Sequence, residues 1–260
     1  MTPAAAAASP SPAGPAHVQV RGLTAGYGAL AVQRDVDFSV RRGEVFVVMG
    51  DSGCGKSTLL RHMVGLDPPL AGDVCYCGEP YWAADDEARE RLRRRFGVLF
   101  QGSALWSSMT LEENVALPAL ELLALPAEEA RAVARLKLAL VGLAGFEDHH
   151  PSEVSGGMRK RAGLARAMAL DPEILYLDEP SAGLDPLSSR RLDDLVLELR
   201  ESLGATIVLV THELPSIFEL GDHAVFLDAE KRTMTAQGTP RELQQSEDPK
   251  LRAFLSRGRL

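Results

Sequence analysis

The stretch Gly50-Asp51-Ser52-Gly53-Cys54-Gly55-Lys56-Ser57 constrains this chain more than any other. It follows the pattern G-x-x-x-x-G-K-[ST], with the continuous apolar run Val45 to Met49 before it and the helix-like Lys56 to Val64 after it. A strand that is apolar at every position must be covered on both faces, so the chain needs a sheet enclosed between layers. Glycines let successive N–H groups turn inward, and the bare start of the following helix adds roughly half a positive charge, so the loop suits phosphate. Lys56 can reach β- and γ-phosphates, and the Ser57 hydroxyl can take a Mg²⁺ position. Gly50 through Ser57, with Asp51, Ser52, Gly53, Cys54 and Gly55 between, and Thr58 beside them, are the expected nucleotide-binding set, with a nucleoside triphosphate and Mg²⁺ as its ligands.

Short apolar runs recur at Ile174 to Leu177, Ile207 to Val210 and Val225 to Leu227, separated by helical stretches. That alternation implies a mostly parallel sheet with crossover helices. Val18, Val20 and Leu23, then Val36, Phe38 and Val40, alternate with polar residues and predict half-buried strands ahead of it. From about 102 to 165 the spacing turns helical: Thr110 with Glu113 makes a capping box, and Leu136, Leu138, Leu140 and Val141 lie in an amphipathic stretch. Thr239-Pro240-Arg241-Glu242 predicts one more helix start near the end. The expected organisation is a tail over 1–16, one α/β domain over 17–242 with a helical insertion at about 102–165, and a helical extension over 243–260.

Composition narrows the function classes. A net charge of −8 argues against a general nucleic-acid binder, which needs Lys and Arg concentrated on one surface, though it leaves room for a local basic patch. The basic cluster Arg89, Arg91, Arg93, Arg94 and Arg95 follows Asp85, Asp86 and Glu87 and reads as a solvated helix face. Cys54, Cys75 and Cys77 fit neither a disulfide framework nor a four-ligand zinc site and read as reduced, cytosolic thiols. The most apolar stretch, Ala116 to Ala127, is interrupted by Pro118, Glu121 and Pro126, short of the roughly 18 residues a membrane-spanning helix requires. The Ala/Pro-rich start lacks the basic and strongly apolar regions of a secretory signal and is expected to be disordered.

Two further strand ends carry chemistry. Ile174-Leu175-Tyr176-Leu177-Asp178-Glu179-Pro180 closes an apolar strand with adjacent carboxylates. Alone, such a pair is equally a solvated strand end. Behind a phosphate loop, Asp178 is placed to hold Mg²⁺ and Glu179 to orient and deprotonate the attacking water. His212 follows Ile207 to Val210 and Thr211, at the end of a strand where open α/β sheets place ligands, and is expected to bond the γ-phosphate and that water.

Val154-Ser155-Gly156-Gly157-Met158 resembles the signature of ABC-type ATPases, usually Leu-Ser-Gly-Gly-Gln. Ser155 is a natural N-cap, and Gly156 and Gly157 leave a second helix start open to an anion. The resemblance implies the fold: a P-loop NTPase core with a mostly parallel sheet, an N-terminal antiparallel β part and an inserted α-helical subdomain. It also implies two copies packed head to tail, each ATP lying between the phosphate loop of one and Ser155, Gly156 and Gly157 of the other. Tyr27 resembles the aromatic that stacks on adenine, Gln101 the lid residue that senses Mg²⁺, joins catalysis and contacts the membrane partner, and Ser181 to Asp185 the loop that lines the dimer.

Met158-Arg159-Lys160-Arg161, the lid Gln101-Gly102-Ser103-Ala104-Leu105 and Thr211-His212-Glu213-Leu214 are similar to the ATPase of Mla/MCE-type phospholipid transporters. That likeness implies an integral-membrane permease, a periplasmic MCE-type lipid-binding protein and a STAS-domain regulator as partners, no nucleic acid, and a peripheral place on the cytoplasmic face of the inner membrane. The competing readings are an importer ATPase for a polar solute such as an amino acid, and a DNA-maintenance ATPase. The second requires a long coiled coil between Lys56 and Ser155, where no sustained heptads occur. A translation-associated protein would carry two cassettes in one chain, and one is present.

Overall fold

The computed structural model describes residues 16–256. In chain order these form β1 (Ala16–Tyr27), β2 (Leu30–Arg41), β3 (Val45–Gly50), α1 (Lys56–Met63), β4 (Ala71–Tyr76), β5 (Glu79–Pro80), α2 (Asp86–Arg93) and β6 (Phe96–Leu99). The helical part follows as α3 (Leu111–Leu123), α4 (Ala127–Leu140), a 3-10 turn (Pro151–Glu153) and α5 (Gly156–Ala167). The chain then returns to the core with β7 (Ile174–Asp178), α6 (Pro186–Leu203), β8 (Thr206–Thr211), α7 (Leu214–Leu220), β9 (His223–Asp228), β10 (Thr233–Gly238), α8 (Pro240–Gln244) and α9 (Pro249–Ser256).

Side chains along β3 point alternately to opposite faces, and both faces are filled. Val45, Val47 and Met49 enter a core shared with α3 to α7, while Phe46 and Val48 enter a second core shared with β1, β2, β4 and α1. That is why the run is apolar throughout, each buried side chain contributing roughly 1.5–3 kcal/mol. The main sheet has the order β10-β9-β3-β8-β7-β6, parallel from β9 to β6 with β10 antiparallel at one edge. The second sheet, β2-β1-β4-β5, is antiparallel and lies across the second core.

The inserted helices begin where their caps dictate: Thr110 accepts from the Glu113 amide and Glu113 closes the box on α3, and Thr239 and Glu242 do the same for α8. The expected amphipathic stretch lies on α4, and its apolar residues divide between two faces. Leu138 and Val141 are buried with Ala130 and Ala134, but Leu136 is 58 % exposed and Leu140 45 %. The inward face follows the 3.6 period through alanines, so the two leucines fall on the outer side.

The expected tail over 1–16 needs one correction: Ala16 opens β1, paired with Arg41, and residues 1–15 lie outside the described residues. The 243–260 segment begins within α8, and α9 packs Leu251, Phe254 and Leu255 into the first core. The Phe254 ring sits 5.3 Å from Phe226, and Lys250 bonds Asp228 at 2.8 Å. Residues 257–260 are outside the described residues. Among the described residues, no helix is long and apolar enough to cross a membrane.

Candidate active site

Register brings the three predicted strand ends together. Met49 pairs with Thr211 and Val210 with Asp178, so the loop after β3, the residues after β8 and the acidic end of β7 share one carboxyl edge. The loop's shape depends on Gly55, whose φ of +102° caps α1 and where a Cβ would stand 2.6 Å from Val32 Cγ1. Gln33, buried on β2, braces the loop by donating to the Cys54 carbonyl at 2.6 Å.

Within the loop, the buried Lys56 ammonium donates to the carbonyls of Gly50 (2.9 Å) and Asp51 (3.1 Å) and stands 3.6 Å from Glu179 Oε1. Ser57 Oγ donates to Asp178 Oδ1 at 3.1 Å. Burial raises the Asp178 carboxyl above its ordinary range, the Ser57 hydroxyl opposing. A buried carboxylate and a hydroxyl converging beside the phosphate loop supply hard oxygen donors of the kind that would suit Mg²⁺. Among the described residues no three His, Cys, Asp or Glu cluster into an all-protein metal cage.

Glu179 sits at φ +46°, a left-handed conformation that costs roughly 1–2 kcal/mol for a side chain of this kind. Its amide donates to Val210 O at 2.8 Å, tying the bend to β8. Its carboxylate lies 2.8 Å from His212 Nδ1 and 3.5 Å from Thr211 Oγ1. The ring proton facing it is thus on Nδ1, leaving Nε2 directed elsewhere. A carboxylate held between an imidazole and an ammonium has the geometry of a general base.

The remaining expected residues lie in two places. Tyr27 is 52 % exposed at the end of β1, its hydroxyl sharing a 2.9 Å bond with Thr58 Oγ1 on α1. Gln101 follows β6 at the surface. Ser155 is exposed at the N-cap of α5, its Oγ accepting from the Met158 amide at 3.2 Å. Gly156 and Gly157 form the first turn behind it. A Cβ on Gly156 would meet nothing nearer than 3.8 Å, and on Gly157 nothing nearer than 3.6 Å. Asp185 caps α6, accepting from Leu187 N and Ser188 N at 3.0 Å and from Ser188 Oγ at 2.5 Å.

Lys160 was not foreseen as a site residue. Its ammonium, 6 % exposed, reaches the Gln101 carbonyl and, at 3.1 Å, the Glu179 carbonyl. Burial holds it below the usual lysine range, with Asp178 and Glu179 opposing. Its one signal in the sequence is its place on a helix face of small residues, Gly163 and Ala167.

A glycine loop feeding a helix at the carboxyl edge of a parallel sheet, with a Ser/Asp pair and a carboxylate held between an imidazole and an ammonium beside it, defines a P-loop nucleoside triphosphatase. The chain belongs, more narrowly, to the ABC transporter family, whose description residues 33–182 match, and it is an ABC ATPase. It is 40 % identical over 244 residues to the probable ribonucleotide transport ATP-binding protein mkl of Mycobacterium tuberculosis, covering 94 % of this chain and 67 % of that one. It is 39 % identical over 238 residues to the intermembrane phospholipid transport system ATP-binding protein MlaF of Escherichia coli, covering 92 % of this chain and 88 % of MlaF. Among solved structures, the dimeric post-hydrolysis state of the ATP-binding cassette MJ0796 bound to ADP and Pi superposes with a TM-score of 0.77 at 30 % identity, covering 85 % of this chain and 98 % of that one.

Proposed function

We propose that the chain hydrolyses Mg-ATP in a head-to-tail dimer and thereby drives phospholipid transport through a membrane permease. The observation that carries the dimer is the first turn of α5. Gly55 and Gly97 are glycines because their own chain demands it: one has positive φ, and at the other a Cβ would stand 1.9 Å from Ala167 O. Gly156 and Gly157 meet neither demand, so the room they leave serves something from outside the chain. Beside an exposed serine at a helix start, that something is an anion, the triphosphate seated in a second copy.

In this arrangement Gly50 to Thr58 cradle the phosphates, Ser57, Asp178 and Gln101 surround Mg²⁺, and Tyr27 stacks on adenine. Glu179 activates water, His212 holds the γ-phosphate, and Asp185 lines the dimer. A mainly apolar groove of roughly 440 Å³, lined by Phe96, Phe100, Leu117, Pro118, Leu122 and Leu170, suits an apolar cytoplasmic helix of the permease, and Phe100 directly precedes Gln101 in the chain. The chain would sit peripherally on the cytoplasmic face of the cell membrane, joined through the permease to an MCE-type lipid-binding protein, with a STAS-domain regulator.

Similarity to MlaF, over most of both chains, and the Met158 and lid residues support phospholipid as cargo. Similarity to mkl, named for ribonucleotide transport, favours a polar solute as the second reading. Purifying the complex from native membranes and identifying its lipids by mass spectrometry separates them. Phospholipid with an MCE-type protein is expected; a polar-solute binding protein in their place overturns the lipid assignment.

A further inference from the structure

The basic side chains of α5 end on backbone carbonyls. Arg159 donates to Val154 O at 2.8 Å, Arg161 to Val141 O at 2.9 Å, and Arg166 to Ser103 O and Ala104 O at 2.8 and 2.7 Å. These three fasten neighbouring loops to the helix. Lys160 reaches the site itself: its two acceptors belong to the lid residue Gln101 and to Glu179.

A buried ammonium is costly, and an apolar side chain of similar length would fill the same space without that cost. What the ammonium adds is two charge-assisted hydrogen bonds, both to peptide groups rather than side chains. Fixing a peptide plane fixes where the attached side chain begins. Glu179 is held at φ +46°, and releasing its carbonyl would let it relax toward a common conformation, moving the carboxylate off His212 and Lys56. Lys160 also lies on the helix that starts at Ser155, so the same ammonium joins the exposed helix start to the carboxylate.

We propose that Lys160 is a positioning residue for ATP hydrolysis: it locks the peptide planes of Gln101 and Glu179 to α5, so that displacement of the Ser155 end is passed to the carboxylate that acts on water. This rests on the role given to Glu179 above.

The test compares Lys160→Met, Lys160→Gln and Lys160→Arg in the full-length chain by steady-state ATPase kinetics and ATP binding. Lys160→Met is expected to lower kcat roughly tenfold to a hundredfold, the scale of a small misplacement of a reacting group, with KM and ATP affinity within about twofold. Lys160→Arg, which keeps the charge and donors, is expected to restore most of kcat. If Lys160→Met does not fold, Lys160→Gln is read the same way. A kcat within about twofold of the parent overturns the proposal. So does a loss of kcat that travels with ATP affinity, or one that Lys160→Arg fails to relieve. Glu179→Gln separates the two assignments: if it leaves hydrolysis intact, the role of Glu179 fails, whereas if it abolishes hydrolysis and Lys160→Met does not slow it, only the Lys160 proposal fails. Lys160→Met added to Glu179→Gln is expected to cost nothing further, because both act through one carboxylate.

Discussion

His212 Nδ1 and Lys56 Nζ converge on the same oxygen of Glu179, at 2.8 Å and 3.6 Å. The carboxylate is therefore oriented from both sides, by the strand end of β8 and by the phosphate loop. Replacing it by an amide keeps the shape and removes the base. Glu179→Gln is expected to bind ATP as the parent does, to lose roughly 10²- to 10⁴-fold in hydrolysis, the range of a general base, and to accumulate as a closed dimer. Size-exclusion chromatography with ATP that shows only monomer counts against the role.

Lys56 makes its own loop's carbonyls its acceptors, and phosphate oxygens would replace them. Hydrogen bonds to a charged group are worth about 1.5–3 kcal/mol, so Lys56→Ala is expected to weaken nucleotide binding by roughly tenfold to a hundredfold or more. Unchanged binding by calorimetry would refute the phosphate-loop assignment.

Two glycines near α5 separate folding from function. At Gly97 an added Cβ would collide with the Ala167 carbonyl at 1.9 Å, a backbone clash that β6 and α5 must part to relieve. Gly97→Ala is expected to lose about 1–3 kcal/mol or more, seen as a lower Tm. Gly157→Ala finds room, and alanine favours a helix, so its Tm is expected to be equal or up to about 1 kcal/mol better by the same measurement. Its ATPase activity is nevertheless expected to fall. Full activity in Gly157→Ala would remove the argument that the bare helix start faces a neighbour's nucleotide.

Asp193 on α6 is buried, with Oδ2 accepting from Ser216 of α7 at 2.7 Å and Oδ1 without a hydrogen-bond partner. Burial pushes its carboxyl up to about 6, against about 3.9 unfolded. Between those values the native state binds a proton the unfolded chain does not, so stability rises as pH falls from about 6 to about 4. At neutral pH the ionised group costs at most about 3 kcal/mol, at about 1.4 kcal/mol per unit. Asp193→Asn, which keeps the Ser216 bond, is expected to raise Tm near neutral pH by roughly 2–4 °C for each kcal/mol gained. The advantage is expected to vanish by about pH 4. A lower Tm for the variant at neutral pH contradicts the assignment.

Much of this was legible from pattern. Strands buried on both faces, such as β3, β7 and β8, are apolar throughout, and the capping boxes at Thr110 and Thr239 are local in sequence. The edges were not. β10 reads Thr-Met-Thr-Ala-Gln-Gly and is half-buried, and β4 begins with exposed Ala71 and Gly72, so neither shows a clean period. Hydrophobicity alone did not separate buried Leu138 from exposed Leu136 and Leu140, because alanines fill much of the interface of α4. Lys160 lay beyond pattern for a different reason: its acceptors are main-chain oxygens 59 and 19 positions away, and every residue type carries such an oxygen.

Because β3 is wedged between two cores, neither layer can slide over it without disturbing the other. The phosphate loop at its tip is consequently the fixed anvil of the molecule, and the motion ATP produces is expected to fall on α3 to α5, which pack on one another and on β6 rather than on β3 itself.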